Sequence, residues 1–448
     1  MLIVPDALAR LDSALAAAKA AGADAADALY VGDGSTSVSV RLGKLEDIGR
    51  SEGEEIGIRV FIGQQSASVS SSDLSPVALA VAAERAVAMA RLAPEDKWAG
   101  LAPEDRLLTG PLADLDLDDP HEPSAEALRD VAMAAEDAAR AVAGVTNSEG
   151  GGASAGRAVT ALATSTGFRG GKSSTSFGCS ASVLAGTGGD MQRDYAWHSA
   201  RHFADLDDAA TIGLRAGTRA VRRLGPIKLD TAPMPIIFDP RISSGLVGHL
   251  VGAITGSAIT RGTSFLKDAL GSQVFDSAIT IIDDPLRQRG LRSRSFDGEG
   301  LPVGRTALID KGVLSGWLLD AASARQLGLQ PTGHAARGTS GPPGAGATNL
   351  HMEPGSVSPA GLIAGIKRGV YVTELIGMGV NGLTGDYSRG ASGFLIEDGE
   401  ITVAVAEVTI AGNLKDMFKA LTPANDLVFR HAANVPTVRI DGMTVAGA

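Results

Sequence analysis

The sequence predicts an α+β fold, with N-terminal helix–sheet units followed by a large antiparallel β-rich C-terminal domain. Three observations carry that prediction. Strand-like runs fall in clusters, with helix-like runs grouped apart from them, which argues against alternating βαβ units. Turn signals join neighbouring runs: Glu397-Asp398-Gly399-Glu400 separates Gly393–Ile396 from Ile401–Ile410, and Asp310-Lys311-Gly312 marks a second hairpin. Glycine is abundant (57 residues) while aromatics make up only 4%, so the cores must be built mainly from Ala, Val, Leu and Ile and the chain must turn often.

In chain order, residues 5–21 have helical apolar spacing, with Gly22 as the stop. Ala25–Val31, Ser35–Leu42 and Ile56–Ile62 read as strands, the last two joined through the polar segment Lys44–Glu55. Gln65–Ser72 alternates Ser with Ala or Val and reads as another half-buried strand. A helix capped by Asp73 or Ser75 runs to about Leu92. These elements form a first unit, residues 1–97. The Pro- and Asp-rich segment 98–123 is a linker. A middle unit, 124–225, holds a helix capped by Ser124, three glycine-separated β runs between Val145 and His202, and a helix from Leu206 to Arg223.

Three prolines between Pro226 and Pro235 mark the boundary to the C-terminal domain, 226–448. Its predicted elements begin with a strand at Met234–Phe238 and a helix-like region over 240–258. Strands at Ile279–Ile282, Thr306–Ile309 and Val313–Leu319 follow, and Gly333–Gly346 reads as a mobile surface loop. After a short helix at Leu362–Gly369, strand Val370–Leu375 leads into a glycine-rich polar loop, Gly377–Arg389, mounted on the Asp398-Gly399 hairpin.

The hydrophobic share of 44%, with 20% charged residues, is that of a soluble globular protein. A net charge of −11 opposes binding of nucleic acid or an anionic membrane. Asp12 and Lys19 interrupt what would be the apolar part of a signal peptide, and Cys179 is the only cysteine. The expectation is a cytoplasmic protein without disulfides.

Local chemistry is sparse. His198 and His202 have HxxxH spacing, but Ser199 stands where a zinc protease carries its glutamate, and on a strand the two residues lie roughly 13 Å apart. His351 and Glu353 fall on one face of a strand without a third ligand. Arg287, Arg289, Arg292 and Arg294 lack interleaved aromatics and read as a solvated or subunit-facing surface, with Asp283 and Asp284 beside them as partners. His249 reads as a core histidine.

Longer stretches carry more. Ser51–Phe61, Arg261–Leu266, Asn349–Gly355, Asp386–Phe394 and Ile410–Leu414 strongly resemble the TldD/PmbA family, in wording closer to its PmbA (TldE) branch. The resemblance implies a cytoplasmic metallopeptidase that degrades or trims small or unfolded peptides. In the TldD branch a HExxxH helix and a later cysteine bind the metal. Here that window falls on Val247-Gly248-His249-Leu250-Val251-Gly252, which has no ligand at its ends and no general base, and Cys179 is far from the other ligand's place.

The resemblance therefore implies a metal-free subunit with no catalytic or metal-binding residues of its own, and zinc is expected in a TldD-type partner. Asp386, Tyr387, Ser388, Arg389, His351 and Glu353 are the expected substrate- or partner-facing groups. The alternative is a homodimeric, non-enzymatic peptide-binding or modulator protein.

Overall fold

The computed structural model describes residues 1–447. Helix α1 (Val4–Ala20) leads into β1 (Ala25–Arg41), β2 (Lys44–Ile62) and β3 (Gln65–Ser71), followed by α2 (Pro76–Ala90). After an irregular segment come α3 (Ala125–Arg140), β4 (Val145–Thr164), β5 (Arg169–Ala185), β6 (Gln192–Ala200) and α4 (Ala209–Arg222). The six strands form one antiparallel sheet of order β3-β2-β1-β4-β5-β6. Residues 1–97 and 124–225, read from sequence as two units, thus contribute three strands each to a single sheet, joined by the β1–β4 ladder.

The strands outrun the prediction. Ala25–Val31 and Ser35–Leu42 belong to one strand, and the polar segment Lys44–Glu55 is the outer part of β2 rather than a loop. Its side chains are mostly exposed, so no apolar alternation betrays it; the backbone ladder to β1 holds it extended. On β1, Ala26, Ala28 and Tyr30 pack with α1 and α2, and farther along Val38 meets Leu128 and Ala132 of α3. The intervening residues Asp27 and Leu29 project from the opposite face, toward the C-terminal domain.

Helix starts follow capping chemistry. Ser75 and Ser124 accept hydrogen bonds from the Ala78 and Ala127 amides. Helix α4 begins at Ala209, later than the sequence predicts, because Asp208 accepts from the Thr211 amide. Gly213 lets α4 lie against α3: a Cβ there would sit 2.0 Å from the Ala135 carbonyl oxygen.

The C-terminal domain opens with β7 (Ala232–Phe238), α5 (Pro240–Ile254) and the short α6 (Gly256–Thr260). Then come β8 (Ile281–Asp283), β9 (Thr306–Asp310), β10 (Val313–Leu314), α7 (Ala321–Leu327), β11 (Ala335–Ala336), β12 (Gly344–Ala345), β13 (Leu350–Met352) and α8 (Pro359–Ala364). The last elements are β14 (Arg368–Ile376), β15 (Asp386–Glu397), β16 (Glu400–Asn413), α9 (Leu414–Lys419), β17 (Leu421–Pro423), β18 (Ala433–Asn434) and β19 (Val438–Ala446).

The larger sheet runs β16-β15-β14-β7-β19-β17, and an additional β16–β19 pairing closes its first five strands into a ring, which removes their open edges. Only β7–β14 is parallel in that sheet. A second sheet, β10-β9-β8-β13-β18, packs across the same core, where Phe275 stacks on Phe418 at 4.3 Å between centroids. The β15–β16 turn is the expected one, with positive φ at Asp398 (47°) and Gly399 (85°). Lys311 (48°) and Gly312 (81°) repeat it between β9 and β10.

Several expectations for this domain need correction, among them the helix at Leu362–Gly369, which lies instead at Pro359–Ala364. The strand predicted at Val313–Leu319 ends at Leu314; Trp317, Leu318 and Leu319 are buried in the core without a ladder. The helix over 240–258 breaks at Thr255, whose extended backbone separates α5 from α6. The Gly333–Gly346 segment is not a mobile surface loop. It forms the β11–β12 pair and inserts against the N-terminal sheet, where Gly57 is in contact with the Thr339 backbone: a Cβ on Gly57 would lie 2.0 Å from the Thr339 carbonyl oxygen. Within that insertion Arg337 reaches Asp27 at 2.5 Å, beside Arg59, directly opposite Asp27 on β2.

Candidate functional site

A cleft runs between β6 and α4 of the N-terminal sheet and the start of α5 in the C-terminal domain. It has two lobes, of about 660 Å³ and about 320 Å³, that share Tyr195, Arg241 and Ser244. Period-two alternation along β6 builds one wall: Asp194, Ala196 and His198 turn inward, while Tyr195 and Trp197 remain 41% and 43% exposed.

Buried ion pairs fix the cleft. Asp194, at 2% exposure, accepts from Arg241 Nη1 at 2.8 Å and Nη2 at 3.3 Å, and from Arg223 Nη1 at 3.5 Å. Burial works against the Arg241 charge, but Asp194 outweighs it and raises Arg241 above its ordinary value. Arg223 continues to Glu374 on β14 and to Ser392 Oγ on β15 at 2.9 Å, tying the two domains together. Asp207 binds Arg215 at 3.2 Å and Arg430; burial would raise its carboxyl, but Arg430 above all holds it below the usual range. Asp239 caps α5 through the Arg241 amide at 3.0 Å and accepts from Tyr371 at 2.9 Å.

The polar run Asp386–Arg389 is strand, the first residues of β15, and the loop before it ends at Gly385. Its pleat divides the four side chains. Asp386 and Ser388 face solvent, Asp386 being held by Thr384 at 2.7 Å and Asn413 at 3.0 Å, which lower its carboxyl in that order. Tyr387 and Arg389 point the other way. Tyr387 is buried, its hydroxyl lacks a hydrogen-bond partner among the described residues, and its ring meets His249 of α5 edge-on at 5.9 Å. Burial, and then Arg389, pulls His249 below its ordinary value. Arg389 lines the smaller lobe with its Nε buried and unpartnered.

His351 and Glu353 do come together, with Nε2 and Oε1 3.5 Å apart, and Arg305 reaches the same carboxylate at 3.3 Å. His351 is buried edge-on to Phe429 at 5.1 Å, so the pair flanks the 428–431 segment that borders the larger lobe. His198 and His202 turn to different partners, His198 to Asp207 and His202 to Asp116 and Asp119. The arginine run also disperses. Arg289 binds Asp116 and Asp205, the half-buried Arg294 donates to the Ala335 carbonyl, and Arg287 lies 3.2 Å from the Phe429 ring centroid. Asp283 pairs with His334 at 3.3 Å instead of an arginine. The cleft residues Asp194, Arg219, Arg241 and Arg430 escaped the sequence reading; the one local signal was two aromatics of outward parity on β6.

Consecutive family models match residues 26–90, 118–224 and 231–447 as domain 1, the central domain and the C-terminal domain of PmbA/TldA metallopeptidases. Metalloprotease PmbA of Escherichia coli is 39% identical over 435 residues, covering 97% of this chain and 94% of that protein. The chain belongs to the TldD/PmbA family, in its PmbA branch. A Haemophilus influenzae PmbA homolog is 35% identical over 416 residues, 92% of this chain and 90% of that protein. Two crystal structures share the fold. One is a Bacteroides thetaiotaomicron protein described as a candidate modulator of DNA gyrase (TM-score 0.92, 27% identity, 100% of both chains). The other is TldE of Thermococcus kodakarensis (TM-score 0.87, 22% identity, 98% of this chain and 100% of that chain).

The metalloprotease name raises the question of where a PmbA-branch chain would hold a metal. The 247–252 window lies on α5, where Val247 is buried in the core and Gly248 and Gly252 have no side chains to offer. Among the described residues no three His, Cys, Asp or Glu side chains are grouped to bind an ion. Cys179 is buried in the N-terminal domain, and burial pushes its thiol up to about 11. These residues do not fit a metal centre. No helix among the described residues is long and apolar enough to cross a membrane.

Proposed function

We propose that this chain is the metal-free subunit of a TldD–PmbA peptidase, shaping a shared chamber with a HExxxH-bearing TldD-type partner that supplies the metal, zinc, and the attacking water. The observation that carries this reading is the exposed side of α5. Gly245, Gly248 and Gly252 recur at helical spacing, and among the described residues a Cβ on any of them would meet nothing within 4 Å beyond its own turn of helix. Each glycine costs a helix roughly 1 kcal/mol relative to alanine, and packing inside this chain explains none of the three. Close approach of another chain or of an extended peptide does. The outer edge of β6 borders the same cleft and offers backbone groups to an extended peptide, a mode of recognition that reads main chain before side chains.

The isolated chain, dialysed against zinc and then buffer, is expected to retain far less than an equivalent of metal and to cleave an unfolded peptide no faster than a blank. Stoichiometric, chelator-removable zinc accompanied by peptide cleavage would sink the reading.

A further inference from the structure

The cleft holds more positive charge than its ion pairs consume. Five of its arginines have carboxylate partners: Arg193 pairs with Glu149, Arg215 and Arg430 share Asp207, and Arg223 and Arg241 share Asp194, with Glu374 also on Arg223. Among the described residues Arg389 in the smaller lobe, and Arg219 and Arg292 together in the larger one, have no carboxylate within 4 Å. Among the described residues Arg219 uses one nitrogen, donating Nη1 to the Tyr195 carbonyl at 3.2 Å, and the exposed Arg292 side chain makes no hydrogen bond. Asp239 and Asp426 also line this lobe, but they accept from Tyr371 and Thr437, so two guanidinium groups in one concave site are left able to take an external anion. A planar guanidinium is matched to a carboxylate, which it can hold through two parallel bonds.

The rim beside them is apolar: Trp197 is 43% exposed and Val428 60% exposed, and both line the same lobe. Next to these groups runs the open edge of β6. Backbone groups, an apolar rim and unmatched arginines together suit one kind of ligand.

We propose that this cleft recognises the C-terminal end of a peptide, taking its free α-carboxylate on Arg219 and Arg292 and an apolar last side chain against Trp197 and Val428. The proposal rests on the peptide-handling reading above and specifies which end of the peptide is bound. A nucleic acid strand would also seek arginines and aromatics, but the overall acidic charge disfavours it beyond the cleft.

The test uses the full chain and a short unfolded peptide ending in leucine, labelled at its N-terminus and prepared as the free acid and as the C-terminal amide. In anisotropy titrations the acid is expected to bind roughly tenfold more tightly, as a charge-assisted hydrogen bond implies. Arg292→Gln, at an exposed position, should abolish most of that difference by weakening the acid alone. Arg219→Gln should do the same, and Arg85→Gln, on α2 outside the cleft, should change neither. Equal binding of acid and amide, or equal weakening of both by the two cleft variants, overturns carboxylate recognition while leaving peptide handling intact. Binding of neither peptide overturns both readings, and equal competition by a single-stranded oligonucleotide overturns the ligand class.

Discussion

Replacing Asp27 with Asn is expected to lower the unfolding free energy by about 3–5 kcal/mol, the usual cost of leaving a buried charge without its partner. Asp27 is 1% exposed and sits between Arg59, whose Nε lies 3.1 Å from Oδ2, and Arg337, whose Nη1 lies 2.5 Å from Oδ1. Burial alone would raise the Asp27 carboxyl, yet Arg59 and Arg337 together hold it below the usual range. Asn is the same size, so the substitution removes charge without opening a cavity. It leaves two guanidinium groups facing each other in the junction between the N-terminal sheet and the β11–β12 insertion. Urea denaturation measures the loss. Adding Arg337→Met should recover part of it, because one of the two stranded charges is then gone. A loss below about 1 kcal/mol would mean that the arginines find other partners in the junction.

The same junction should set the pH dependence of stability through Glu299. This side chain is 4% exposed and accepts from the Ala321 amide at 2.7 Å. Burial, and then the neighbouring Asp297, pushes its carboxyl up to about 7, with the Ala321 amide and then Arg59 acting in the opposite sense. Below the unfolded value of 4.5 both states hold the proton and Glu299 contributes no pH dependence. Between that value and about 7 the unfolded chain releases its proton while the folded chain keeps it, so stability falls as pH rises through this window. The fall attributable to Glu299 is on the order of 3 kcal/mol. Glu299→Gln keeps an acceptor for the Ala321 amide and has no proton to lose. The variant should therefore be the more stable protein at about pH 8 and differ little near pH 5. Parallel pH profiles for the two proteins would show that Glu299 ionises freely in the fold.

These junction groups were invisible in the sequence, for a physical reason. Asp27, Arg59, Glu299 and Arg337 are ordinary charged residues in four separate windows, and only the folded sheet brings them together. Gly333–Gly346 read as mobile because seven of its residues are glycine or proline. Composition reports how easily a backbone bends, and Ala335, Arg337 and Thr339 are held by contacts with distant parts of the chain. Lys44–Glu55 failed in the opposite way, since a strand with two solvated faces carries no hydrophobic period. Where local chemistry decides, the sequence was legible. The Ser75 and Ser124 caps and the Asp398-Gly399 turn fall where expected. The Asp386–Arg389 run stands out in the sequence, but its residues alternate across a strand, so Tyr387 and Arg389 turn toward His249 while Asp386 and Ser388 face solvent.

The shared-chamber reading is tested by titrating this chain into a fixed amount of a HExxxH-bearing TldD-type relative while following cleavage of an unfolded peptide. Cleavage should be negligible with either chain alone, climb until the two are present in equal amounts and then level off, and be lost completely on adding a chelator. A cleavage rate set by the relative alone and unchanged by any amount of this chain would contradict that reading.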